Sequence, residues 1–476
     1  MNLTFWGAAQ QVTGSMYLLE LADDYRILID CGSDLERSNG QTPPVEKPVS
    51  NNFFPFEASS LNVVLLTHAH IDHSGNLPNL YREGYEGQIL CTEATFSLTD
   101  ILLKDAASLN QKKINELNGS KKQKVRDKQS QLQKDLFLDK QVRESMDSVV
   151  ALQFGRKFRL TDSCSVTFLP AGHLLGAAHI IVDVFENGEK KSICFSGDIG
   201  RKNYPLLVDP ATVPEVDYLI CESTYGNRLH QDQMSPEDAL ADVIKRTCID
   251  IPGRLIIPTF SVGRTQSLLY TLNRLYTERG FQPIKVFSDS PMGFESTKVY
   301  QKNIGLLSRE ARDFYETNET LFDFENFEFL ESSKASKAVS DYNEPCIIIS
   351  SSGMVQGGRV EYHVAANIGN PYCTILLIGY CAEGTLGWRL LNGQPTLTIK
   401  GEEKQVLANI ERIDVFSGHG DRDDLLGFVK MQSPERLKKI FLVHGDASSM
   451  EAFKGTLAEA GYPNVEIPAK GQSYEL

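Results

Sequence analysis

Along the first 220 residues, short apolar runs rich in β-branched residues alternate with polar loops, and the runs end in Gly, Asp or His. YRILIDCG, NVVLLTHAH, GQILCT, CSVTFLPAGH, AHIIVDVF, SICFSGDIG and DYLICEST share the pattern. Apolar runs of this length between turn formers predict strands, with the unusual residues in loops at their C-terminal ends. From about residue 209 the rhythm becomes strand–helix–strand. In SPEDALADVIKRT, Ser235 reads as an N-cap, Pro236 as the first helical residue and Asp238 as the group reaching back. RLIIPTF follows as a buried strand, then a helix from about Gly263 to Arg279. IKVFSDS, CIIISSSG and TILLIGY complete a parallel α/β unit of about 185 residues. After Gly393 the strand-rich style returns in QVLANIERIDVFSGHGD and KKIFLVHGD, with a helix between.

A chain of 476 residues has room for two or three domains with their own cores. No apolar run approaches the roughly 20 residues of a membrane-spanning helix, so no membrane partner is expected. The opening residues lack the basic start of a secretion signal. Nine cysteines without a C-x-x-C pair fit a reducing compartment better than a disulfide framework. Cytoplasmic location is therefore expected. The net charge of −14 argues against an all-over nucleic-acid-binding surface but leaves room for a local one. One segment, 110–145, leans basic, with 10 Lys/Arg against 5 Asp/Glu. It reads as helix, a break at Gly119, then helix; a solvated excursion and a polyanion-binding arm carrying Lys121, Lys122 and Lys124 both remain open.

The densest chemistry lies in THAHIDH, residues 67–73, where an apolar strand runs into a loop. His68 and His70 can converge just past the strand end, while Asp72 and His73 point to a neighbouring position. Imidazole and carboxylate suit zinc and similar metals, and two ligands facing each of two points suggest a dinuclear site. Three further strand ends supply donors: FLPAGH ends at His173, CFSGD at Asp198 and FLVHGD at His444. The simplest assignment gives His68, His70 and His173 to one metal and Asp72, His73 and His444 to the other, with Asp198 bridging. Asp30, ending RILID, either orients a ligand histidine or is a plain turn residue. His179 reads as a core histidine or one standing behind the ligands, not as a ligand, and His230 as facing solvent.

These residues resemble the metallo-β-lactamase superfamily, which implies an αββα sandwich with the metals at one edge. CESTYG with Glu222, SGHGD with His419 and VHGD with His444 resemble the added motifs of its β-CASP subfamily, nucleases with a second α/β domain inserted into the first. PTFSVGRTQSLLY, DSPMG, SSGMVQGGR and GYCAEGTLG are similar to that family too. The expected organisation is α/β throughout: residues 1–208 and 395–476 as the sandwich, 209–394 as the inserted domain. The resemblance implies a ribonuclease with two zinc ions, manganese being an alternative, that hydrolyses RNA to a 5′-phosphate and a 3′-hydroxyl. Asp72 and Asp198 then serve catalysis as well as metal binding. His419 is the candidate proton donor and Glu222 the carboxylate that fixes its ring. Substrate would lie between the domains, touching Ser261, Arg264, Ser351, Ser352, Gly357, Gly358, Arg359 and His363, since small polar groups, open backbone and Arg are what phosphate oxygens need. His444 places the chain with RNA-processing rather than DNA-repair members. RNA is thus the expected partner, a homodimer is left open, and endonuclease against exonuclease is undecided. The alternatives are a small-molecule hydrolase of the same superfamily, a DNA-directed nuclease and an inactive RNA-binding subunit.

Overall fold

The computed structural model describes residues 1–34, 53–118, 136–230 and 234–476. Gly119 and the basic Lys121, Lys122 and Lys124 lie outside the described residues; the flanks of that segment are the helices Glu93–Asn118 and Asp139–Asp147. By its packing the chain divides into two units. One is Met1–Lys202, Asp209–Leu229 and His419–Leu476; the other is Asn203–Val208 and His230–Gly418.

The first unit holds two seven-stranded sheets. One runs in the order Gln472–Glu475, Asn2–Phe5, Tyr17–Glu20, Arg26–Ile29, Val63–Leu65, Gln88–Thr92, Val149–Leu152. The other runs Val465–Glu466, Lys439–Val443, Tyr218–Glu222, Glu189–Phe195, Ala178–Glu186, Cys164–Pro170, Lys157–Arg159. Strand alternation explains how both faces are covered. Ile27 and Ile29 join Phe5, Phe168, Val182, Phe195 and Phe441 in a core between the sheets. Leu28, one residue out of phase, packs with Leu77, Leu80, Leu103 and Val142 of the helices outside the first sheet. Leu219, Cys221 and Leu442 likewise meet Leu425, Phe428, Met450 and Phe453 of the helices Arg422–Val429 and Ala447–Glu459. A strand buried on both faces has no polar side to show, which is why RILI and KIFLV read as continuous apolar runs. The layers are helix, sheet, sheet, helix, the sandwich expected.

The second unit is a parallel six-stranded sheet in the order Phe327–Phe329, Lys285–Ser288, Cys346–Ser350, Arg254–Pro258, Cys373–Leu377, Asn409–Arg412. Its first helix, Pro236–Ile244, starts as its sequence predicts: Ser235 Oγ accepts from the Asp238 amide, with Pro236 first in the helix. The unit's limits differ from the expected 209–394. Residues 209–229 stay with the sandwich because Tyr218–Glu222 pairs in parallel with both Ile193–Phe195 and Lys439–Val443. The strand Asn409–Arg412 pairs with Cys373–Leu377 and so stays with the second unit.

Candidate active site

Six strand ends of the sandwich deliver the site. After Val63–Leu65 the chain passes through Thr67–His70 into the one-turn helix Ile71–Ser74. This turn is pinned to the neighbouring strand end: Cys31 N donates to His73 O at 2.7 Å and Ser33 N to Ile71 O at 2.9 Å. Gly32 is required here, because a Cβ would overlap the Asp72 carbonyl. His173 follows Cys164–Pro170 and Asp198 follows Glu189–Phe195. Gly200, whose Cβ would overlap the Gly172 carbonyl group, brings those two loops together and bridges to His419. His444 follows Lys439–Val443, its amide donating to Ala8 O at 2.8 Å.

The structure brings all seven expected ligands together. His70 Nδ1 lies 3.1 Å from both His68 Nε2 and His173 Nε2. Asp198 Oδ2 is 3.4 Å from each of the same two nitrogens. Its other oxygen, Oδ1, faces His73 Nε2 at 3.2 Å and His444 Nε2 at 3.6 Å. His444 Nε2 is 3.3 Å from Asp72 Oδ2. Asp198 thus turns one oxygen to each of two donor groups. Asp30, 1% exposed, decides between its two sequence readings: its Oδ2 is 2.7 Å from His73 Nδ1 and its oxygens accept from the Thr67 amide and hydroxyl. Thr224 Oγ1 does the corresponding work at His444 Nδ1, 2.9 Å away. Thr224 was not among the residues expected from the sequence; it stands directly after the CES of CEST, where a hydroxyl at a strand end is the only signal.

The electrostatics call for a cation. Burial, together with the other imidazoles, holds His68 well below its ordinary pKa, and burial takes His70 down to about 4. Burial opposes charge on His73 and His444 as well, but Asp198, with Asp30 or Asp72, outweighs it, and His444 rises to about 8. Burial also works against the two carboxylates, yet the histidines hold Asp72 and Asp198 below the usual carboxylate range. Convergent nitrogen lone pairs around a buried anionic carboxylate fit a bound metal ion, which would replace the protons.

Beside this cluster His419 Nδ1 lies 3.2 Å from Glu222 Oε1, and His419 Nε2 lies 3.9 Å from Asp198 Oδ2. Glu222 is 1% exposed and is itself fixed by the amides of Ile199 and Thr224. His179 is a core residue, its Nδ1 2.5 Å from Ser196 O and its ring against Phe428.

The eight residues expected to touch substrate lie in the second unit. Ser261 Oγ bonds to Ser290 and Ser351, and Arg264 lies over the Phe260 ring with Cζ 4.8 Å from its centroid. Gly357 and Gly358 both take left-handed φ in an exposed turn that Ser352 closes by accepting from the Gln356 amide. Arg359 and His363, expected among the substrate contacts, also have partners within the second unit. Arg359 gives its N–H groups to the carbonyls of Asp289, Leu330 and Glu331. His363 is 1% exposed, with Nε2 2.8 Å from Asp289 Oδ2. A helix start needs such bracing, and these two side chains tie Val360–Asn367 to the ends of two strands. The solvent-facing reading of His230 is corrected: its side chain is 7% exposed, 3.6 Å from Asp414.

Two sheets between helices, with a histidine–carboxylate cluster at their strand ends, define a hydrolase of the metallo-β-lactamase class. Family models match accordingly: Metallo-beta-lactamase superfamily over residues 10–250, Beta-Casp domain over 265–390, and Zn-dependent metallo-hydrolase RNA specificity domain over 403–468. The chain belongs to the β-CASP family of metallo-β-lactamase-fold nucleases. It is 32% identical to Ribonuclease TTHA0252 of Thermus thermophilus, covering 97% of both chains. It is 31% identical to Transcription termination factor FttA of Methanocaldococcus jannaschii, over 98% of this chain and 70% of that one. To the RNase J-like protein of the same organism it is 28% identical, over 98% of each. Among the described residues no helix is long and apolar enough to cross a membrane.

Proposed function

We propose that this chain is a zinc-dependent ribonuclease that hydrolyses RNA phosphodiester bonds, leaving a 5′-phosphate and a 3′-hydroxyl. The observation that carries the reading is the double donor set around Asp198 with the Glu222–His419 pair beside it. The RNA specificity model and the relatives named as ribonuclease and RNase J-like support RNA as substrate. Nine free buried cysteines fit work in the reducing cytoplasm.

His68, His70, His173 and Asp198 would hold one zinc; Asp72, His73, His444 and Asp198 would hold the other. When bound, such a pair supplies an activated water at neutral pH and a positive seat for the phosphate. The chain's own part is geometry and proton transfer. Asp30 and Thr224 fix the rings of His73 and His444, so each presents one nitrogen inward. Glu222 fixes His419 from behind through Nδ1, which leaves Nε2 on the cluster side. As the new P–O bond forms and the bond to the 3′-oxygen breaks, His419 Nε2 gives its proton to that oxygen. The test is incubation with internally and end-labelled RNA, with and without chelator, followed by fragment sizing and end-group analysis. Chelator-sensitive cleavage to 5′-phosphate ends is expected. Turnover of a β-lactam or thioester without RNA cleavage would defeat the reading.

A further inference from the structure

We propose that Arg228, held on the ring of Tyr225, takes the RNA phosphate that neighbours the scissile one on the leaving-group side. This rests on the ribonuclease reading above. The Arg228 guanidinium carbon lies 4.0 Å from the Tyr225 ring centroid. That ring stands edge-on to His419, with 5.9 Å between centroids and 63° between planes. Two steps of 4.0 and 5.9 Å keep the guanidinium within about 10 Å of the His419 ring. His419 touches both Asp198 and Tyr225, and Tyr225 carries Arg228, so a chain of contacts joins the arginine to the proton donor. The side of the proton donor is where the leaving 3′-oxygen and its nucleotide must lie.

The base of this arm is rigid. Tyr225 is 5% exposed, while Arg228 is exposed. Ser223 Oγ donates to Val443 O at 2.7 Å, and Gly226 N donates to Ser223 O at 3.1 Å. A Cβ on Gly226 would fall 2.6 Å from Phe453 Cβ, so the turn lies flush on the helix beneath it. Arg422 N donates to Arg228 O at 3.0 Å, tying the arm to the segment that carries His419.

Two other arginines of this acidic chain are neutralised by contrast: Arg246 by Asp242 and Glu411, Arg274 by Glu237 and Glu278. Among the described residues no carboxylate pairs with Arg228 and no side-chain hydrogen bond engages it; its guanidinium rests on the Tyr225 ring. A guanidinium resting on an aromatic face keeps its in-plane N–H donors for another partner, and their fork matches two phosphate oxygens. Lost ordering entropy is small because the stack already fixes the side chain.

Steady-state cleavage of a short labelled RNA by the full-length chain tests the assignment. Arg228→Ala should raise KM roughly tenfold with kcat nearly unchanged, and flatten the log affinity against log salt slope by about one. A neutral methylphosphonate at the neighbouring phosphate on the leaving-group side should raise the wild-type KM and erase the difference between wild type and Arg228→Ala. Persistence of the difference on that substrate, or equal KM values on ordinary RNA, overturns the proposal. If the wild-type chain cuts no RNA, the ribonuclease reading fails; if both proteins cut it alike, only the Arg228 assignment fails. An unchanged melting temperature shows that the exposed substitution leaves the fold intact.

Discussion

Replacing Asp30 with Asn removes one negative charge without changing shape, and its effect can be worked from the geometry. Asp30 Oδ1 accepts from the Thr67 amide at 2.8 Å; Oδ2 accepts from the Thr67 hydroxyl at 2.9 Å and lies 2.7 Å from His73 Nδ1. An asparagine has one acceptor oxygen and an NH2 group. Either the Thr67 amide or His73 Nδ1–H must then face a donor, with the pair buried. Asparagine also tolerates the left-handed φ of 58° found at this residue, so the backbone is not a second perturbation. Loss of one charge-assisted hydrogen bond costs about 1.5–3 kcal/mol. Removing an outer partner of a ligand histidine lowers metal affinity about 10–100-fold, or about 1.4–2.8 kcal/mol.

The assay is zinc retention under graded chelator competition, read by mass spectrometry, beside RNA cleavage titrated with zinc. The variant's cleavage curve should move to about 10–100-fold higher free zinc and reach nearly the wild-type plateau. Zinc affinity equal to wild type would refute the claim that Asp30 aims His73. Activity lost at every zinc concentration would refute the claim that it acts through metal binding.

Three further perturbations separate the roles proposed for neighbouring groups. Asp198→Ala should abolish RNA cleavage and lower zinc content, because one carboxylate faces both donor sets; retained cleavage would count against a shared bridge. His419→Ala should lower turnover roughly 10²–10⁴-fold while zinc content stays near wild type; loss of both metals would make His419 a ligand instead. Gly200→Ala sets a methyl group against the Gly172 carbonyl group, a backbone neighbour that cannot swing away. It should cost about 1–3 kcal/mol in unfolding by denaturant and weaken zinc binding, since His173 is displaced; an unchanged midpoint would refute the close approach.

How much of this was legible in the sequence depended on range. His68, His173, Asp198 and His444 stood out because each ends an apolar run, and a run of four or five such residues is local information. The expected boundary at 209 falls earlier than the observed one for an equally physical reason. DYLICEST has the signature of any buried strand, and its pairing with Ile193–Phe195 and with Lys439–Val443, some 220 residues away, assigns it to the sandwich. Arg359 and His363 sit in a Gly-rich motif that reads as open to phosphate. The sequence holds no sign that Asp289 and the carbonyls of Leu330 and Glu331 close on them. Nothing in the sequence marks Arg228, since an arginine in a polar turn is ordinary; the Tyr225 ring beneath it and the neighbouring His419 distinguish it.

The left-handed residues of the site show the fold and the chemistry pulling apart. Asp30 and His444 have φ of 58° and 50°, and each stands at the point where its strand stops. For an L-residue that conformation costs about 1–2 kcal/mol relative to glycine. Glycine at either position would relieve the backbone and remove a side chain that points at the cluster. The neighbours hold the strain in place: Asp30 N donates to Leu65 O at 2.9 Å and His444 N to Ala8 O at 2.8 Å. Aspartate and histidine are among the non-glycine residues that tolerate this region best. A chain selected for stability alone would place glycine at both points; retaining strained, buried, ionisable side chains there implies that what they hold matters more than the local backbone energy.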